Sequence, residues 1–192
     1  QLAADCNPNI IEILWTDESD IIEMNQIGSR IRWFRDSFLS QKAKYTFSGY
    51  AHAQLKKMRS VFEGINEILP KTFAECKHIP VPIRRLNDRE RKLFKHAMHL
   101  VRLMRMCREI LADGKVIVKR PDREELLAIR NGAWSYDQLI EWADKQDADM
   151  NELLKISPLP RSADRVYLDS LCRQMVKESL GIEYRFPLTT PL

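Results

Sequence analysis

Hydrophobic positions in this chain recur every three or four residues along most of its length, the spacing that lines up one face of an α-helix. Asn7 and Pro8 open a short apolar segment, Ile10 to Trp15, with the asparagine suited to a helix cap and the proline to a first helical position. Ile27, Ile31, Phe34 and Phe38 predict a helix over Ile27 to Leu39. Ala51, Leu55, Met58, Phe62, Ile65 and Leu69 predict a long one over Phe47 to Leu69, closed by Pro70. Residues 70–88 contain Pro70, Pro80 and Pro82 without a sustained period, which predicts a loop long enough to be functional.

The next helix runs from Asp88, its cap, to Asp113, where Gly114 can end it in a left-handed conformation. Lys115 to Lys119 (KVIVK) is the one β-like piece. Asp122 caps a helix through Ile129, ended by Gly132, and Ser135 with Gln138 forms a capping box that opens an acidic helix to about Lys155. Pro158 and Pro160 separate this from a last helix over Ala163 to Leu180, ended by Gly181. The expected fold is all-α, a helical bundle with at most a minor β element. Residues 27–181 make the helical domain and 182–192 a C-terminal tail. Residues 1–26 read as a junction, because the chain begins at Gln1 as if inside an element already under way.

Composition narrows the class. With 44% hydrophobic residues the chain can bury a sizeable core. It has no apolar run of about 18 residues and no leader pattern, so a cytoplasmic protein with no membrane partner is expected. Cys6, Cys76, Cys107 and Cys172 are widely spaced, and Cys107 and Cys172 fall on apolar helix faces, which suits reduced thiols.

Charge is segregated. Arg84 to Arg108 carries nine Lys/Arg against Asp88 and Glu90, and Lys42 to Arg59 carries five basic residues and no acid. Asp137 to Glu152 holds six carboxylates against Lys145. A basic face built from two helices favours an anionic ligand, such as a nucleoside triphosphate or a nucleic-acid backbone, with an ordinary solvated helix surface as the alternative. In the helix around KHAMHLVRLMRMCREIL (95–111), His96, His99 and Arg102 climb one side, beside Lys95, while Leu93, Ala97, Leu100, Met104, Cys107 and Leu111 hold the buried side. In the long helix Tyr50, Gln54 and Lys57 share a polar face; tyrosine can stack on a base, glutamine can read a base edge and lysine can neutralise phosphate.

Neither Gly-rich phosphate loop is encoded. His96 and His99 lack the further ligands a metal site needs, and no carboxylate pair is arranged for Mg²⁺: Asp17, Glu18 and Asp20 fall in a loop, and Asp147 and Asp149 diverge on their helix. No catalytic or metal-binding residue is therefore assigned within these residues.

Two resemblances give the basic face a context. Arg91 and His96, in RKLFKH, resemble the Arg-x4-6-His signature of the helical ribonucleases called higher-eukaryote-and-prokaryote nucleotide-binding domains, which implies metal-independent RNA cleavage with histidine as acid or base. More extensively, NPNIIEILW (7–15), FLSQKAKYTFSGYAHAQLKKM (38–58), KHAMHLVRLMRMCREIL (95–111) with DGKVIVKRPDREELLAIRNGAWSYDQLI (113–140), and SPLPRSAD (157–164) together resemble a family of predicted nucleotidyltransferases of bacteria and phages. That family belongs to the polymerase-β superfamily and includes a type encoded beside RNA ligases. The resemblance implies that the chain is the helical part of an α+β enzyme. It would help transfer a nucleoside monophosphate from a triphosphate such as ATP to an acceptor, with RNA or an RNA-processing enzyme as a possible partner. It also implies that the Gly-Ser and paired-aspartate motif, with its Mg²⁺, lies upstream of Gln1. Lys95, His96, His99 and Arg102 would then face phosphate, Tyr50, Gln54 and Lys57 the opposite wall, and Asn9 and Glu12 the junction. A non-catalytic nucleic-acid-binding or interaction module is the alternative from another class.

Overall fold

The computed structural model describes residues 1–68 and 86–181, excepting the side chains of 65–68. Seven α-helices and two 3₁₀ turns make up its regular structure, with no strand among the described residues. The helices are α1 (Pro8–Leu14), α2 (Gln26–Trp33), α3 (Lys42–Ile68), α4 (Asp88–Asp113), α5 (Arg123–Arg130), α6 (Tyr136–Ile156) and α7 (Arg165–Ser179). The tail 182–192 and nearly all of the expected loop 70–88, with Cys76, lie outside the described residues.

Helix α4 is the axis of the bundle, because its apolar positions occupy several sides of the cylinder. Leu93, Phe94, Ala97, Leu100, Val101, Met104, Met106, Cys107, Ile110 and Leu111 are all buried. One side packs along α3, which contributes Ala43, Phe47, Ala51, Leu55, Met58 and Phe62; α5 and α6 add Leu126, Ile129, Leu139, Ala143 and Met150. At the rim of this core Phe62 and Tyr136 stack with ring centres 3.9 Å apart. Burying so many large side chains is the main stabilising term of such a bundle.

Helix α4 begins one residue earlier than the spacing predicts. Asn87, and not Asp88, is the cap: its side-chain oxygen accepts from the Arg89 and Glu90 backbone N–H groups, and the Glu90 carboxylate accepts from the Asn87 N–H at 2.8 Å. Asn87→Ala removes acceptors for two otherwise unpaired donors, and an expected loss of about 1 kcal/mol, read in urea denaturation, checks this. At the other end Gly114, with φ of +63°, donates its N–H to the Ile110 carbonyl and ends the helix as expected.

Other departures have local causes. The helix expected over 27–39 breaks at Phe34, whose N–H turns back to Arg30, and resumes as a 3₁₀ turn over Arg35–Phe38. Helix α3 starts at Lys42, since Ala43 and Phe47 are fully buried and anchor its first turn in the core. KVIVK is not a strand: it has no partner strand among the described residues, and Val116 instead enters the core. Asp122 precedes α5 but makes no side-chain cap, its carboxylate being held by Arg105 and Arg120. Asp17, Glu18 and Asp20 belong to a 3₁₀ turn in which the Asp17 side chain caps Ser19. Cys107 is buried, and burial pushes its thiol up to about 12, whereas Cys172 is exposed, although it lines an apolar groove with Leu168, Leu171 and Met175.

Residues 1–26, expected as a junction, place Cys6 and Ile11 in the main core. Thr46 Oγ1 donates to the Cys6 carbonyl at 2.8 Å, and the Cys6 thiol reaches the Phe38 carbonyl. Helix α1 is thereby fixed against the start of α3. A smaller apolar cluster of Ala4, Ala163 and Leu168, with Phe38 beside it, seats α7.

Candidate anion-binding face

The close packing of α3 on α4 carries the two polar strips together. Gln54 lies one turn after Tyr50 on α3, and its Oε1 is 2.8 Å from Nδ1 of His96 on α4. With the amide oxygen as acceptor, Nδ1 carries the ring proton and Nε2 is left as an acceptor. Tyr50 is fixed from a third element: the Asn7 side-chain amide donates to its hydroxyl at 2.9 Å. The same asparagine caps α1 by accepting from the Asn9 N–H. One turn further along α1, Glu12 holds Arg102 of α4 at 2.8 Å. Asn7 with Tyr50, Gln54 with His96 and Glu12 with Arg102 are thus three hydrogen-bonded pairs that tie α1 and its cap, α3 and α4 together along one seam.

Lys57 and Lys95 are exposed beside this seam, and the field of Lys57 acts on His96. His99 sits among Arg102, Lys95, Arg130 and Glu12. Both imidazoles titrate below their ordinary range. For His96 the causes are burial, then Lys57, His99 and Lys95; for His99 they are burial, then chiefly Arg102 and Lys95, with Glu12 opposing. At neutral pH the two rings are uncharged, so they offer hydrogen bonds and not the positive charge that a His/Arg stripe suggests. Arg102 is also compensated, being bound to Glu12. Lys57, Lys95 and the exposed Arg130 carry the free positive field.

All seven residues singled out from the sequence therefore fall on or beside one face. Asn9 contributes its backbone N–H to the Asn7 cap, and Glu12 serves as the counter-ion of Arg102. Arg130, in the last turn of α5, and Asn7 were missed. Asn7 was legible as a cap, but only the α1–α3 packing shows that its amide also reaches Tyr50. Nothing in the sequence places Arg130 beside His99.

A divalent cation does not fit this face. Glu12 is the carboxylate that reaches it and is committed to Arg102, and no group of three or more His, Cys, Asp or Glu among the described residues could hold a metal ion. Arg91 and His96 are not brought together either: five residues apart, they point about 140° apart around α4. Arg91 donates to the Leu86 carbonyl while His96 faces Gln54.

No known family, no curated protein and no solved structure matches this chain. Among the described residues no helix is long and apolar enough to cross a membrane.

Proposed function

We propose that this chain is the helical part of a nucleotidyltransferase-like protein, and that the α1–α3–α4 face receives the triphosphate of a nucleotide bound jointly with an upstream catalytic domain. The observation that carries the reading is the Gln54–His96 bond, which joins the two strips that the sequence marks as polar and basic. The order of the blocks shared with that family supports it from the sequence side.

On this face Lys57 and Lys95 neutralise phosphate charge. Neutral His96 offers an acceptor nitrogen to a hydroxyl or amino donor of the ligand. Tyr50 presents a partly exposed ring, held by Asn7, against which a base can stack. In the reaction the chain would position the nucleotide and stabilise charge as pyrophosphate leaves; bond making belongs to the upstream residues. Mg²⁺, where bound, would be held there too.

Calorimetric titration with ATP, GTP, CTP and UTP, on this chain and on one extended upstream of Gln1, tests the proposal. Lys57→Ala and Lys95→Ala are each expected to weaken binding about tenfold, or about 1.4 kcal/mol, with circular dichroism unchanged. Equal affinity in the double variant refutes it. Salt-sensitive binding of an RNA oligonucleotide with no nucleotide binding by either chain would instead place the protein among nucleic-acid-binding modules.

A further inference from the structure

A phosphate seated on the α1–α3–α4 face meets a mismatch at His96. Gln54 Oε1 lies 2.8 Å from Nδ1 and draws the ring proton there, so Nε2 carries only a lone pair. A hydroxyl or amino group can donate to that nitrogen. An ionised phosphate oxygen cannot, because two acceptors facing each other form no bond. Contact becomes favourable once Nε2 also holds a proton, which makes the ring a cation with a donor on each nitrogen.

With the face read as the seat of a triphosphate, we propose that His96 takes up a proton when the phosphate arrives, so that the face gains a positive charge only with its ligand in place. Polyphosphate binding is then coupled to proton uptake.

The charges around the ring favour that exchange. Lys57 acts on it from α3, and Lys95 and His99 from α4. Beside His99 stand Arg102 of α4 and Arg130 of α5, with Glu12 of α1 as the carboxylate that faces them. Glu12 is bound to Arg102 at 2.8 Å, so no carboxylate among these groups is free to hold a proton on His96. Without ligand, burial and the neighbouring cations keep the ring neutral at pH 7. A triphosphate brings several negative charges to the same place and reverses the field.

The hydrogen bonds let the ring charge without rebuilding the seam. Nδ1–H donates to Gln54 in both states, and only Nε2 changes, from acceptor to donor. Because the bound ring titrates above the free ring, the coupling is absent at a pH where both are neutral. It appears as the pH falls through the bound midpoint and is complete below the free one.

Ring-proton NMR of His96, assigned by the signal lost in His96→Gln, follows its titration between about pH 5 and pH 8 with and without saturating inorganic triphosphate. The free midpoint is expected below the ordinary histidine value of about 6.5. With triphosphate it should rise by about one pH unit or more, an approximately tenfold preference of the ligand for the protonated ring. His52 is the internal reference: its Nδ1 lies 2.7 Å from the Ser48 carbonyl of its own helix, and it lines a cleft with Asp144 and Asp147 of α6. It sits about 200° around α3 from Gln54, and its midpoint should move little. Calorimetry with the same triphosphate gives a second readout. The ligand's own titration is common to both chains, so the ratio of parent to His96→Gln affinity isolates the ring; it should rise about tenfold from pH 8 to pH 5.5.

Triphosphate binding at an unmoved His96 midpoint overturns the inference and leaves the nucleotide seat standing, since the Gln54 amide would then have turned to donate and a neutral ring would donate from Nε2. Absence of triphosphate binding by this chain also overturns it, whereas the nucleotidyltransferase reading is decided separately on the chain extended upstream of Gln1.

Discussion

Replacing Arg120 with alanine should destabilise the protein by about 3 kcal/mol or more, measured as a lowered urea midpoint at unchanged slope. Arg120 lies in the segment between α4 and α5, and its side chain is only 6% exposed. Its guanidinium meets Glu109 at 2.5 and 2.8 Å and Asp122 at 2.8 Å. Asp122 is shared with Arg105 at 2.6 Å, and Arg105 continues to Glu125 and lies over the Trp142 ring. Removing Arg120 leaves Glu109 and Asp122 half-buried with their charges less compensated, and that penalty exceeds what the pair contributes over an apolar replacement. Arg120→Lys should recover only part of the loss, since an ammonium cannot bridge two carboxylates with the planar fork of arginine. A loss under about 1 kcal/mol would show the network to be solvated like an ordinary surface pair.

The same network sets an acid limit. Burial raises the Asp122 carboxyl, but hydrogen bonds and charge from Arg120 and Arg105 outweigh it and hold the group down at about 2, against 3.8 when unpaired. Its folded value is depressed, so its stabilisation is complete above about pH 4 and is lost as the pH falls toward 2, amounting to about 2 kcal/mol. In Arg120→Ala that acid dependence should shrink together with the stability.

The helices were legible because their apolar period needs no partner to be read. Leu93, Ala97, Leu100, Met104, Cys107 and Leu111 mark the buried side of α4 from spacing alone, and all six are buried. What the period cannot show is how many sides are covered. Val101, Leu103 and Met106 are also buried, because α5 and α6 pack on α4 as well as α3. Ends were read less well where tertiary contacts set them: Phe47 looks like a beginning, yet the buried Ala43 draws the first turn of α3 back to Lys42. A lone β-branched run such as VIV carries strand propensity without a sheet to join.

For the candidate face, the i, i+4, i+7 spacing of Tyr50, Gln54 and Lys57 and the i, i+3, i+6 spacing of His96, His99 and Arg102 each define a strip. That the strips meet depends on a contact 42 positions apart in sequence, Gln54 to His96, which no local pattern encodes. Charge was the least legible property. Two histidines and an arginine read as a cationic stripe, but burial keeps the rings neutral and Glu12, from another helix, answers the arginine. Lys57 and Lys95, which the sequence places among the same candidates, are left with the electrostatic role.

Phe47→Ala should cost about 3–5 kcal/mol, the range for truncating a fully buried aromatic side chain. Phe47 is wholly inaccessible in the main core, in the first half of α3 and next to Thr46, which holds the Cys6 carbonyl. The cavity left behind cannot collapse easily: α4 presses from one side and the hydrogen-bonded segment around Cys6 from another. Phe47→Leu, which keeps most of the volume, should cost about 1.5 kcal/mol or less. The substitution also separates stability from binding. Gln54 follows Phe47 by two helical turns and faces His96 from the polar strip, so under conditions where Phe47→Ala remains folded its nucleotide affinity should stay within about threefold of the parent, or about 0.7 kcal/mol. Lys57→Ala and Lys95→Ala should show the reverse, weaker binding at unchanged urea midpoints. If Phe47→Ala lost affinity as steeply as the lysine variants while still folded, the α1–α3–α4 seam would not be a preformed surface, and binding would depend on movement of α3 against α4.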